Sequence, residues 1–265
     1  MTQSQEWDAR AYASISGLQA AMGAEVLALL KLEGSEDVLD VGCGDGKVTA
    51  QIASLVPRGS VIGVDASLQM VEFASAHFGP DRLPNLKFQV ADARELGFSN
   101  RFDRVVSFNA LHWVPEQDVA LRAIAKALRP DGIAQLRLVP MGERKSLETV
   151  LEETRQSPRW SRYFDDFRDP YLRLTAEEYA EVASRSGLHV LRTTTASKEW
   201  DFHDRAGFAA FGVVTFVRWT HRLPEVDRMD FVSDVLDRYQ AAIGGREHVF
   251  LFYQMDVTAR RSDTI

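Results

Sequence analysis

A single cysteine, Cys43, leaves no partner for an internal disulfide and excludes a multi-cysteine metal site; no metal is expected. Long apolar runs are also missing. None approaches the ~20 residues that a membrane-spanning helix requires. The opening decapeptide MTQSQEWDAR carries no basic region followed by an apolar core, so no secretory signal is expected, and a cytoplasmic location is the default. Positive charge is in short supply: 31 Lys and Arg stand against 38 Asp and Glu, a net charge of −7. That balance argues against general affinity for nucleic acid or an anionic membrane. Internal repeats and low-complexity stretches are absent. What remains is an ordinary globular composition, 45% hydrophobic and 26% charged, in 265 residues. Such a chain can bury a substantial core, as one large domain or a domain with a smaller cap.

Leu18, Met22, Val26 and Leu29 recur at helical spacing, with Gly34 placed to stop that helix. From residue 37 to about 139 short apolar runs alternate with helical patterns. DVLDV, SVIGVD, LKFQV, FDRVVSF and IAQLRLV have strand length; KVTAQIASLV, LQMVEFASAHF and VALRAIAKAL have helical periodicity. This alternation predicts a doubly wound, mostly parallel α/β sheet with helices on both faces. Residues 141–187 carry few strand signals and read as a helical insertion after the fifth strand. Within them Thr175 and Glu178 form a capping-box pattern, and Gly187 marks the helix end. LHVLRTTTASKEW then reads as a sixth strand, 205–242 as two or more helices, and HVFLFYQMDVTARR as a seventh strand. The aromatic stretches WSRYFDDF and FAAFGVVTFVRW suit helix core better than a pocket lining.

The stretch VLDVGCGDGKVTAQIA, residues 38–53, ends an apolar strand at an acidic residue and places glycines at alternate positions. A phosphate-gripping P-loop would need Ser or Thr after its lysine, but Val48 follows Lys47. A dinucleotide fingerprint would need glycine at the sixth position, which Lys47 occupies; that reading is weakened, not eliminated. The remaining option is an adenosine cofactor without a phosphate chain. Gly42, Gly44 and Gly46 would let the backbone approach such a ligand closely, and Asp40 would help to fix a cationic amino-acid group. Asp65 closes the second strand where a carboxylate can accept from both ribose hydroxyls. Met70 stands where a flexible apolar side chain can pack on an adenine face. Asp92, beyond the third strand, can accept from an adenine amino group. Cys43, between loop glycines, reads as a packing residue rather than a nucleophile.

VLDVGCGDG, GVDAS, VADARELGF, FDRVVSFNALHWV and ALRPDGIAQLRL together resemble the motifs of the class I S-adenosylmethionine-dependent methyltransferases over residues 37–139. AYASISGLQ, ASLQMVEFASAHF, ALHWVPEQDVALRAI and FVSDVLDRYQAAIG are similar to the juvenile hormone acid and trans-aconitate methyltransferases, groups that esterify free carboxylates. The resemblance implies a Rossmann-like seven-stranded fold and S-adenosylmethionine as cofactor. It places Gly42, Gly44 and Gly46 around the cofactor's amino-acid end and Asp65 on its ribose, with Tyr12 and Asp40 also among the cofactor-binding residues. Ala66 and Met70 would flank the adenine, with Ser67 also cofactor-binding, Asp92 and Ala93 would read its edge, and Asn109 would face the methionine portion through its backbone. Gln19, Trp113 and His112 would position the acceptor. The implied division is 1–34 as a helical segment covering the active site and 35–140 as the cofactor-binding core. Residues 141–187 follow as an insertion or substrate lid, and 188–265 as strands and helices completing the sheet.

Methyl transfer from a sulfonium is an in-line displacement, so alignment and exclusion of water carry much of the catalysis. A carboxylate is already ionised at neutral pH, and no general base is expected. The expected activity is therefore carboxylate O-methylation of a small molecule. The alternatives are C- or N-methylation of a natural product on the same fold, a nicotinamide-dependent dehydrogenase, or a cofactor-binding protein without turnover.

Overall fold

A computed structural model of the chain describes residues 16–262, apart from the side chains of residues 16, 17, 19 and 20. The first helix, α1 (Ser16–Leu29), buries Leu18 and Val26. Leu29, expected on the same apolar stripe, is 46% exposed, and Leu30 just beyond the helix is buried in its place. Gly34 does not end this helix, which stops at Leu29. With φ of +95° it instead forms the turn into the first strand and accepts the Arg58 N–H.

The following elements are β1 (Asp37–Val41), α2 (Lys47–Leu55), β2 (Ser60–Asp65), α3 (Leu68–Phe78), β3 (Leu86–Val90) and β4 (Phe102–Phe108). Then come α4 (Gln117–Ala127), β5 (Leu128–Leu138), α5 (Leu147–Arg155), α6 (Ala176–Arg185) and β6 (Leu188–Asp201). The chain closes with α7 (Arg205–Thr215), α8 (Val217–Thr220), α9 (Glu225–Ala242) and β7 (Val249–Arg261). The strands form one seven-stranded sheet in the order β3-β2-β1-β4-β5-β7-β6. β1 pairs parallel with β2 and β4, β2 with β3, and β4 with β5, whereas β7 runs antiparallel to β5. The order reverses at β1 and β4, and ligands of open parallel sheets lie outside the carboxyl ends of the strands at such a point.

β1 shows why the sheet needs cover on both faces. Leu39 and Val41 point into a core shared with α4, α6 and β7, including Leu121, Ile124, Tyr179 and Met255. Val38, alternating with them, points into a second core with Ile52 and Ala53 of α2 and Val56 at its end. The Thr175 capping box is present: Thr175 Oγ1 accepts from the Glu178 N–H at 3.2 Å, and Glu178 Oε2 accepts from the Thr175 N–H at 2.8 Å.

The described residues divide into two compact units, one of residues 16–140, 172–195 and 254–262, the other of 141–171 and 196–253. Two of the four cuts fall within β6 and β7, and the other two at 140/141 and 171/172. The stretch 141–187 is thus split, its last sixteen residues (172–187) belonging to the sheet unit. The second unit contains α5, α7, α8 and α9, with α9 packed on α5 and α7. Its interior is aromatic: Trp160 meets Phe231 edge-on at 5.2 Å, and Phe208 meets Tyr239 edge-on at 6.1 Å. Trp160, Phe164, Phe208, Phe216 and Trp219 are all buried, so both aromatic stretches form core, as their spacing suggested. No described helix is long and apolar enough to cross a membrane.

Candidate active site

The loop after β1 is shaped by its glycines, which do different work. A Cβ at Gly42 would lie 2.2 Å from Ala110 Cβ, and one at Gly46 2.7 Å from Ala74 Cβ and 2.8 Å from Phe88 Cζ. These two let the loop sit against β4's exit and against α3. Gly44, with φ of +53°, has nothing within 4 Å of that position, so its backbone faces open space. The loop is tied to β2 by Gly42 and Cys43, whose N–H groups both donate to the Val64 carbonyl. Cys43 is buried, and burial pushes its thiol well above the ordinary range, consistent with packing rather than nucleophilic chemistry.

Asp65 links the same loop to the end of β2. Its Oδ2 accepts from Gly44 N–H at 3.0 Å and its Oδ1 from Ser67 N–H at 2.9 Å. Burial raises its pKa despite those bonds. Ser67 is the N-cap of α3, its hydroxyl accepting from Met70 N–H at 3.3 Å, and Ala66 beside it is exposed. Met70 is only 3% exposed, so most of its side chain is spent on the core. Asp40 is 2% exposed and accepts from the Thr49 hydroxyl at 2.7 Å. Burial, with the neighbouring Asp65 charge, pushes its pKa up to about 7. A buried carboxyl in that state is a site where an incoming cation gains an anion.

Asp92 is engaged by Arg94, with Nε to Oδ1 at 2.9 Å, Nη2 to Oδ2 at 2.6 Å and the backbone N–H to Oδ1 at 2.9 Å. Arg94 Nη1 also reaches Glu116 at 2.8 Å. The guanidinium holds the Asp92 carboxyl below its ordinary range. A carboxylate offers about four lone-pair positions; these contacts use all but one of them, on Oδ2. Ala93 is half-buried against the core.

Past β4 the chain turns at Asn109, with φ of +57°. Its N–H donates to the Arg137 carbonyl at 2.8 Å, which leaves its carbonyl as the backbone group that could face a cofactor. Its side-chain Oδ1 is buried without a partner. His112 and Trp113 follow in a 3-10 turn (Leu111–Trp113), where the Gln117 amide donates to the Leu111 and Val114 carbonyls. His112 is buried, its Nδ1 accepting from Val139 N–H at 3.4 Å, and burial lowers its pKa to about 3. Tyr12 lies outside the described residues. Gln19 falls on α1, but its side chain is not among those described.

Sequence reasoning missed Thr49, Arg94, Arg137 and Gln254. Arg137 is buried on β5, pairs with Asp256 at 2.6 and 2.9 Å, and reaches the α1 residues Met22 (carbonyl, 3.5 Å) and Glu25 (3.3 Å). The signal for Gln254 and Asp256 was there: two polar residues interrupt the apolar run VFLFYQMDV. Thr49 gave none, since threonine is unremarked on a helix.

An open-facing glycine backbone, a buried carboxyl ready for a cation, a carboxylate at the end of β2 and an unpaired Asn109 oxygen fit a cofactor with a zwitterionic amino-acid end and a ribose. Residues 38–132 match the family described as Methyltransferase domain. Juvenile hormone acid O-methyltransferase of Drosophila melanogaster is 30% identical over 222 residues, 77% of this chain and 71% of that protein. Trans-aconitate 2-methyltransferase of Deinococcus radiodurans is 26% identical over 266 residues, 97% of this chain and 99% of that protein. The structure of Haemonchus contortus phosphoethanolamine N-methyltransferase 2, in complex with S-adenosyl-L-methionine, is similar in fold, with a TM-score of 0.63 at 18% identity. That match covers 96% of this chain and 57% of that one. The chain belongs to the class I S-adenosylmethionine-dependent methyltransferases, in the group of the trans-aconitate and juvenile hormone acid enzymes. It is an enzyme that uses S-adenosylmethionine to methylate small molecules, and the nicotinamide alternative falls.

Proposed function

We propose that the acceptor is a small carboxylic acid, methylated on a carboxylate oxygen. The observation that carries this reading is the state of His112. Its Nδ1 accepts from the Val139 N–H, and burial holds its pKa near 3, so the ring is neutral with its proton on Nε2. A nitrogen that already carries a proton can donate but cannot take one from an amine, a phenol or a carbon acid. An acceptor served by this group arrives already ionised. The two relatives named for acids, juvenile hormone acid and trans-aconitate, support the same class.

When bound, S-adenosylmethionine supplies a methyl group on a sulfonium, a leaving group that needs no proton. The acceptor's carboxylate oxygen would receive that methyl, so no residue of the chain has to remove a proton from it. The protein's part is to hold both ends. In this reading Asp65 takes the ribose hydroxyls, and Asp40 and the Asn109 Oδ1 take the cofactor's ammonium. The last free position on Asp92 takes the adenine amino group. The backbone of Gly42, Gly44 and Gly46 and the side chains of Ala66, Ser67, Met70 and Ala93 border the cofactor. His112, Trp113 and Gln19 orient the acceptor, and Tyr12 is assigned to the cofactor on family resemblance alone.

The test is to offer methyl-labelled cofactor with a panel of carboxylic acids, amines and phenols, trans-aconitate and juvenile hormone acid among them. Label should enter acids and be released as methanol by mild base. Label retained as a base-stable amine, ether or carbon-bound methyl contradicts the reading.

A further inference from the structure

Gln254 lies on β7 and is only 3% exposed, yet its side-chain Nε2 has no hydrogen-bond partner. Leaving an amide donor buried and unpaired is costly, and such groups in native proteins call for a specific explanation. Its position suggests one. β5 and β7 pair antiparallel, with Arg137 opposite Asp256 and Leu138 opposite Met255. Gln254 is therefore one step beyond the last pair, at the carboxyl end of β5, where ligands of such sheets bind.

Side chains alternate along a strand. Leu138 and Met255 point into the core, so Gln254 shares the opposite face with Asp256. That face is the one on which Arg137, bonded to Asp256, meets Met22 and Glu25 of α1. At the same level the Val139 N–H fixes the His112 ring.

We propose that Gln254 is an acceptor-binding residue whose side-chain N–H donates to an oxygen of the acceptor's carboxylate, at the end of β5 where His112 is also held. This rests on the carboxylate reading above. It adds a second neutral donor to the acceptor side, one that favours an anion without a counter-charge. It also explains why an apolar strand keeps an amide at this position.

The experiment compares wild-type enzyme with Gln254→Met, which keeps the length and removes the donor, and Gln254→Glu, which keeps the shape and adds repulsion. The probes are trans-aconitate and whichever panel acid the wild type turns over fastest. Gln254→Met should raise the acceptor KM about ten-fold or more, as expected for losing a hydrogen bond to a charged group, with the cofactor Kd unchanged. Its Tm should be equal to or above that of wild type, because an unpaired buried donor has gone; a purely structural glutamine would lower it. Gln254→Glu should raise KM further. A Gln254→Met enzyme with the wild-type acceptor KM overturns the proposal whatever its Tm. If that variant does not fold, an unchanged KM in Gln254→Glu does the same. If wild type methylates no acid, the carboxylate reading fails and takes this proposal with it, an outcome distinguishable because it appears before any substitution.

Discussion

At the ends of β1 and β2 the carboxylates already have partners: Asp65 accepts from Gly44 and Ser67, and Asp40 accepts from Thr49. Just past β4, and on β7 beside the carboxyl end of β5, on the other side of the switch point, Asn109 Oδ1 and Gln254 Nε2 are buried and have none. The first region is held by its own backbone and needs little rearrangement to take a ligand. The second retains buried polar atoms without a protein partner. In the proposed reading the cofactor's ammonium meets Asn109 and the acceptor meets Gln254, so a common fold can hold the ribose end of the cofactor through its own backbone while acceptor preference is left to side chains across the sheet such as Gln254.

The largest expected effect breaks the first region. Asp65→Ala should lower S-adenosylmethionine affinity by roughly a hundred-fold in calorimetry, the loss of two hydrogen bonds to a charged group, while an acceptor-side change such as Gln254→Met leaves it intact. Equal losses in both variants would erase the distinction between the regions.

Next, the loop glycines should separate. Gly42→Ala forces a Cβ to within 2.2 Å of Ala110 Cβ at φ of +78°. Overpacking plus a left-handed backbone should cost about 3 kcal/mol of stability. Gly44→Ala meets only the backbone penalty, about 1 kcal/mol, and should instead weaken cofactor binding. Denaturant melts of the two variants check the order, and equal destabilisation would contradict it.

A third prediction concerns protons. Asp40's pKa of about 7 lies above that of an unfolded aspartate, so the folded state keeps a proton that the unfolded state has lost. Ligand-free stability should therefore fall as pH rises from about 4 to about 7. A cofactor ammonium beside Asp40 reverses that shift. Binding near pH 6 should release up to about one proton, and almost none above about pH 8. Titration calorimetry in buffers of different ionisation heat measures this, and Asp40→Asn should abolish it.

The smallest effect is expected at Arg94. Its pair with Asp92 is about 40% exposed on both sides, so Arg94→Met should change stability by less than about 1 kcal/mol. It should weaken cofactor binding only a few-fold, by freeing the Asp92 carboxylate to rotate.

The same contrast explains what the sequence made legible. Strand and helix periodicity located the sheet, because β1, β2 and β4 are largely buried and their helices are short and regular. The cofactor side was readable because backbone geometry there demands glycine, and the ligand demands Asp65 at a strand end. Leu29 and Gly34 were misplaced because one helical turn more or less leaves the apolar spacing almost unchanged. The commitments of Asp92 to Arg94 and of the Asn109 N–H to Arg137 depend on tertiary contacts that spacing does not encode. Gln254 meets its neighbours across more than a hundred residues of chain, and its meaning appears only with the β5–β7 register.

The claim that the acceptor arrives ionised, with no group on the protein needed to take its proton, is tested most directly by the pH dependence of kcat/KM for the acceptor at saturating cofactor. With a carboxylate acceptor and His112 neutral throughout, the profile should be flat from about pH 6 to 9. A limb rising with pH in that range, reporting deprotonation of the acceptor or of a catalytic base, would contradict the account.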